Sequence, residues 1–163
     1  MMGCRGWGTF GALLLVIASP LRAQAPPPDP ESQVMKVVNE LFVAMRAGDS
    51  ATVRTLFHPD LEKMASSLRQ RDGTPVVRFG DLNEFANAIG SAAAGDFDER
   101  IGPADIRIHD NLATVFTPYA FYLKKQLSHC GVNVFLIART GDEWKIVGLA
   151  DTRRWQDCGE WLP

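Results

Sequence analysis

The polar residues able to do chemistry crowd into one stretch, Ser128 to Arg154, which reads SHCGVNVFLIARTGDEWKIVGLADTRR. His129 is the candidate catalytic group, because an imidazole titrates close to neutral pH and can give or take a proton there. Tyr122 or Asp151 would be its partner. A histidine beside a cysteine near a strand start is more often a satisfied structural residue, so catalysis is the weaker of two readings. Asn133 can both donate and accept hydrogen bonds. Arg153-Arg154 has the fork geometry to grip a carboxylate, unless Asp151 or Asp157 satisfies an arginine internally.

Other chemistries lack their residues. His58 and His109 fall in turns far from His129, and the chain has no H-x-H, H-E-x-x-H or acid-rich loop, so no metal site is expected. No G-x-S-x-G surrounds a serine, and Ser128 and His129, as neighbours on a strand, point to opposite faces. Glycine-rich phosphate loops are absent from Pro26 onward, since GTFGA lies in the N-terminal segment. No cofactor is expected. Cys130 and Cys158 are too widely spaced for a redox C-x-x-C and, without clustered histidines, do not make a zinc site.

These residues must be positioned by strands. Val132–Ala138 and Trp144–Ala150 are apolar runs rich in β-branched residues, and Thr140-Gly141-Asp142-Glu143 between them marks a β-hairpin. Leu112–Leu123 is a long strand interrupted by Pro118 and turned by Lys124-Lys125 into the hairpin. Upstream, Val34, Val37, Val38, Leu41 and Met45 recur at helical spacing, with Asp29 and Pro30 at the start and Gly48 at the end. Asp49 opens a second, shorter helix through Val53, Leu56 and Phe57, stopped by His58-Pro59-Asp60. Short strands are expected on either side of Asp72-Gly73. Asp81 with Glu84 begins a third helix burying Leu82, Phe85 and Ile89. A strand region around Ile101, Ile106 and Ile108 carries a bulge or edge at Gly102-Pro103.

The two hairpin turns suggest a register. Pairing Arg139 with Trp144 sets Asn133 against Ala150 and His129 against Arg154; pairing Leu123 with Gln126 sets His129 beside Ala120. Alternation then gathers Phe116, Ala120, Tyr122, His129, Asn133, Trp144, Ile146, Thr152 and Arg154 on one face. The expected ligand pocket is Phe57, Phe116, Tyr122, His129, Asn133, Thr152 and Arg154. Asp151 falls on the other face, and a one-residue slip would bring it across. That other face, with Val132, Val134, Leu136, Val147 and Leu149, is too apolar to leave in water and is expected to pack a homodimer.

The first 25 of the 163 residues have a basic start, an apolar run from Thr9 to Ala18 and an Ala23-Gln24-Ala25 site, the order of a cleaved secretory signal. Residues 26–31 form a proline-rich linker and 32–163 a single domain. The apolar run is too short for the ~20 residues of a spanning helix, so no stable membrane anchor is expected. Loss of Arg5 and Arg22 with the signal leaves fifteen basic against nineteen acidic residues, a formal charge of −4 with no basic block. Nucleic acid is therefore not an expected partner. Export to the periplasm or beyond permits disulfides, and Cys130 and Cys158 would be the one pair left.

The order helix, helix, weak strands, helix, long meander resembles the nuclear-transport-factor-2-like superfamily, which includes SnoaL-like and ketosteroid-isomerase-like proteins. The A-x-x-x-G-D junction from Ala44 to Asp49, LFHPD from Leu56 to Asp60 and the GDEWKIVGLADTRRW ending carry the likeness. It implies an α+β fold whose N-terminal helices pack in the concave face of a curved antiparallel sheet, a cystatin-like cone with a pocket. The isomerase pattern fails: Met64 and Ala65 stand where that family's base would, and the first helix has no tyrosine. The favoured expectation is a non-catalytic exported protein holding a small apolar or amphipathic ligand, or a protein partner, in the cone. A SnoaL-like isomerase, cyclase or dehydratase using His129, and a structural dimerisation module, are the alternatives.

Overall fold

In the computed structural model, the residues described are 3, 29–70 and 72–159. The expected signal segment apart from Gly3, residues 26–28 of the expected linker, Arg71 and residues 160–163, Trp161 among them, lie outside these; α1 takes up the last two linker residues. Helix α1 spans Pro30–Ala47, α2 Ser50–Leu56 and α3 Leu82–Ser91. The strands are β1 (Lys63–Arg69), β2 (Pro75–Asp81), β3 (Phe97–Ile101), β4 (Asp105–His109), β5 (Leu112–Leu123), β6 (Gln126–Thr140) and β7 (Glu143–Arg153).

Each helix begins where its sequence provides an oxygen for the unpaired amides of the first turn. Asp29 accepts from the Ser32 N–H at 3.0 Å, Asp49 from Thr52 at 2.9 Å, and Asp81 from Asn83 and Glu84 at 2.7 and 3.0 Å. Such caps contribute about 1 kcal/mol each. Gly48, at φ 73°, ends α1 in the left-handed region and donates to the Ala44 and Met45 carbonyls. The expected α1 stripe of Val34, Val37, Val38, Leu41 and Met45 is buried throughout. It packs with Val53, Leu56, Leu82 and Ile89 against Val115, Phe135, Ile137 and Ile146 of the sheet. Phe42 meets Phe135 edge-on at 6.1 Å.

The sheet corrects the cone. Strand order is β2-β1-β7-β6-β5-β3, with β4 also paired to β5, and the path is open at β2 and β3 rather than closed or strongly curled. Nor is it antiparallel throughout: β1 runs parallel to β7, Ala65 opposite Ala150 and Leu68 opposite Arg153. The weak strands flanking Asp72-Gly73 thus form the β1–β2 hairpin and attach to the end of the chain. A fold with three helices and an open mixed sheet has no enclosed cone for the helices to fill.

Both expected turns hold, with Leu123 opposite Gln126 and Arg139 opposite Trp144. Beyond each turn a β-bulge shifts the register by one residue. Ser128 is the extra residue in β6, so Phe121 rather than Ala120 faces His129. Val147 is the extra residue in β7, so Asn133 faces Asp151 rather than Ala150. A bulge exchanges the faces of every residue that follows it. The helix-side face therefore carries Thr117, Tyr119, Phe121, His129, Gly131, Asn133, Leu149, Asp151 and Arg153. Phe116, Ala120, Tyr122, Thr152 and Arg154 lie on the opposite face, and the expected single-faced set is divided. Leu149 moves from the expected dimer face into contact with the core.

At Gly102-Pro103 the chain breaks between β3 and β4 rather than bulging within one strand. Gly102 donates to the Pro118 carbonyl at 2.9 Å, and a β-carbon there would stand 2.8 Å from the Pro118 ring. The two strands thereby turn around the proline of β5.

Candidate functional site

The helices cover the Val115–Phe135–Ile146 end of the inner face. Beyond them the same face turns polar, because Glu99, Tyr119, His129, Asn133, Asp151 and Arg153 all project there. Asn133 donates its side-chain amide to Glu99 Oε1 at 2.6 Å. Asp151 Oδ2 accepts from the Tyr119 hydroxyl at 3.0 Å and from Arg153 Nε at 2.6 Å. Tyr119 also reaches the Thr152 carbonyl at 3.0 Å. Asn133 and Asp151 are register partners, so the two halves of the network adjoin.

Burial governs the charges. It pushes the Glu99 carboxyl up to about 7, an effect that the Asn133 hydrogen bond reduces and the Asp151 charge reinforces. Burial raises the Tyr119 phenol too, again reinforced by Asp151. His129 is pulled down to about 4 by burial and by the Arg153 guanidinium. It is therefore neutral at pH 7, packed edge-on to Tyr119 at 5.7 Å and tilted over Phe121 at 5.0 Å, with Nδ1 3.1 Å from the Ser128 hydroxyl.

A cavity of about 1190 Å³ opens where β1 and β7 end and β2 begins. Arg69, Arg78, Arg153 and Arg154 line it, together with Gln70, Thr152, Trp155, Gln156 and Asp157. Three supports shape its walls. Arg69 donates to the Gly73 carbonyl at 2.9 Å, which ties it to the β1–β2 turn. Arg153 is oriented by Asp151. The expected disulfide is present, Cys130 to Cys158 with Cα atoms 5.7 Å apart, and it fastens the tail that contributes Trp155, Gln156 and Asp157. Arginine forks match paired oxygens, and guanidinium planes stack on aromatic rings. Such a lining offers hydrogen-bond donors to a ligand bearing several oxygens.

Among the expected pocket residues, Thr152 and Arg154 line this cavity, and His129 and Asn133 belong to the adjoining network. Three stand apart. Phe57 is core, bridged to Ile146; Phe116 is exposed on the outer face; Tyr122 lies beneath the Arg100 guanidinium at 4.3 Å. Tyr122 and His129 occupy opposite faces, which removes that acid–base pair. Asp151 shares the His129 face but spends its hydrogen bonds on Tyr119 and Arg153. Among the described residues, no group of three or more His, Cys, Asp and Glu is placed to hold a metal, and no helix is long and apolar enough to cross a membrane.

Sequence reasoning missed Glu99, Tyr119, Arg69 and Arg78. A signal existed for the first two. Glu99 shares the phase of Phe97 and Ile101, and Tyr119 that of Val115 and Phe121, so both were legible as inward-facing. Arg69 and Arg78 had none, since they meet the cavity only through the parallel pairing of β1 with β7.

Comparison with known proteins places this geometry. A family model described as "Putative lumazine-binding" matches residues 29–149. No curated protein matches. Solved structures share the fold: an NTF2-like protein of unknown function from Shewanella baltica is 12% identical over 76% of this chain and 93% of its own, with a TM-score of 0.57. Another, from Cytophaga hutchinsonii, is 16% identical over 78% and 100%, also at 0.57. A Streptomyces avermitilis protein described as "a putative dehydratase from the NTF2-like family" is 16% identical over 76% and 94%, with a TM-score of 0.54. The chain belongs to the family so matched and has the fold of the NTF2-like superfamily.

Proposed function

We propose that this is an exported, non-catalytic binding domain whose arginine-lined cavity takes a small planar ligand rich in carbonyl or carboxylate oxygens. The convergence of Arg69, Arg78, Arg153 and Arg154 on one cavity carries the reading, in a chain whose formal net charge is −2. Four cations lining one cavity of an acidic protein, Arg78 and Arg153 from the helix-side face and Arg69 and Arg154 from the other, favour an anion or a strong dipole. Gln70 and Gln156 add amides that both donate and accept, and Trp155 adds an indole able to stack. The family description names lumazine, a planar bicyclic dione that meets these requirements. The Cys130–Cys158 bridge supports export, because such bonds persist in oxidising compartments. Titrating lumazine with the protein and following its fluorescence anisotropy tests the reading. A saturable rise that Arg78→Ala weakens is expected; no rise at millimolar ligand would overturn it.

A second copy of the chain is the proposed partner of the outer sheet face. Phe116 and Val134 are paired across β5 and β6 and are 49% and 40% exposed, with Leu112 and Leu136 beside them at 47% and 38%. Such a contiguous apolar patch is rarely left in water.

A further inference from the structure

Glu99 also lines a cleft between α1 and β3, about 430 Å³ in volume, with Asn39, Phe42, Val43, Arg46, Arg100 and Ile101. It is a different opening from the arginine cavity and shares none of its lining residues. The volume lies within the ~300–1,000 Å³ of small-molecule sites. Phe42, Val43 and Ile101 make the walls apolar, while the ends carry charge.

The charges decide which ligand fits. Arg46 Nε lies 2.6 Å and Arg100 3.0 Å from the Asp98 carboxylate, so two cations share one anion. Burial pushes Asp98 up, but hydrogen bonds from Arg100 and Arg46 outweigh it and keep the group ionised. The cleft therefore holds one net positive charge when Glu99 is protonated and none when it is ionised. Every other charged or titratable neighbour of Glu99 is spoken for. From β5 comes Tyr119, held neutral; from β6 His129, neutral above about pH 4 and packed on Phe121, the register partner of Glu99. From β7 come Asp151 and Arg153, which cancel one another at 2.6 Å. A cation would meet Arg46 there. An anion meets Arg46 together with a carboxylic acid able to donate a hydrogen bond.

We infer that the α1–β3 cleft is a second binding site, taking a small monocarboxylate with an apolar tail and drawing one proton onto Glu99 as it binds. The ligand carboxylate accepts from the Glu99 hydroxyl and faces Arg46, while Arg100 lies across the strand edge over Tyr122. Its tail lies on Phe42, Val43 and Ile101. The proton comes from solvent, and no bond is made or broken in the ligand.

Isothermal titration of the full chain with hexanoate tests this at pH 6 and pH 8, each in two buffers of different ionisation enthalpy. The Glu99 carboxyl titrates near 7, so affinity at pH 6 is expected to exceed that at pH 8 by about tenfold, with up to one proton taken up per ligand. Glu99→Gln, which donates at every pH, should bind equally at both and take up no proton. Val43→Trp, at an exposed helix position over the cleft, should abolish binding while leaving the circular dichroism spectrum unchanged. Absent binding, equal affinity at the two pH values, pH dependence retained in Glu99→Gln, or full binding by Val43→Trp would each overturn the inference.

Discussion

Glu99 and His129 titrate in opposite senses, and each makes stability depend on pH in its own window. Glu99 rises from 4.5 to about 7 on folding, so the folded chain binds more protons than the unfolded one between those values. Its contribution is fully present below pH 4.5 and is lost as pH rises through 7. Glu99→Gln is expected to stabilise the protein at pH 8, by up to about 3 kcal/mol from the size of the shift, and to have little effect at pH 4.5. Urea unfolding at the two pH values measures this. His129 falls from 6.5 to about 4, so the folded chain binds fewer protons there, and stability is lost as pH drops from 6.5 to 4. His129→Phe should flatten that acid limb without weakening lumazine binding at pH 7. Loss of lumazine binding in that variant would put His129 at the site itself.

The elements meet most tightly where β6 and β7 converge. A β-carbon on Gly131 would lie 1.8 Å from the Thr152 carbonyl oxygen, a distance no side-chain rearrangement relieves. Gly131→Ala is expected to destabilise by about 3 kcal/mol, read from the urea midpoint, because backbone must move. Cys158→Ser removes a bridge spanning 28 residues and should cost about 2–4 kcal/mol. It should also weaken lumazine binding, since the tail carrying Trp155 would be freed. Helix boundaries were legible because caps and spacing are local: Asp29, Gly48, Asp49 and Asp81 all act as their positions suggest. Both hairpin turns were legible for the same reason, and the Cys130–Cys158 pair because setting Cys4 aside with the expected signal leaves one connectivity. Face assignments were not. Ser128 carries no turn or glycine signature of a bulge and Val147 only the neighbouring Gly148, and one extra residue in each strand is enough to exchange faces. That is why Asp151 arrives beside Asn133 while Thr152 and Arg154 turn outward. The parallel β1–β7 contact was hidden too, since it pairs residues 85 positions apart, as Ala65 with Ala150, and depends on the whole topology.

At the scale of the molecule, an open mixed sheet has one face filled by helices and another left bare, and its two ends are free to form sites. The bare face predicts association. Leu136→Glu should convert a dimer to a monomer in light scattering at micromolar concentration, whereas a monomeric parent protein would remove that proposal. The arginine cavity at the β1–β7 end carries the functional reading, and equilibrium binding of lumazine to the parent and to Arg78→Ala tests it most directly. One site per chain is predicted, with affinity reduced about 10- to 100-fold in the variant, the loss of one charged hydrogen bond. No binding by the parent, or equal binding by both proteins, would contradict it.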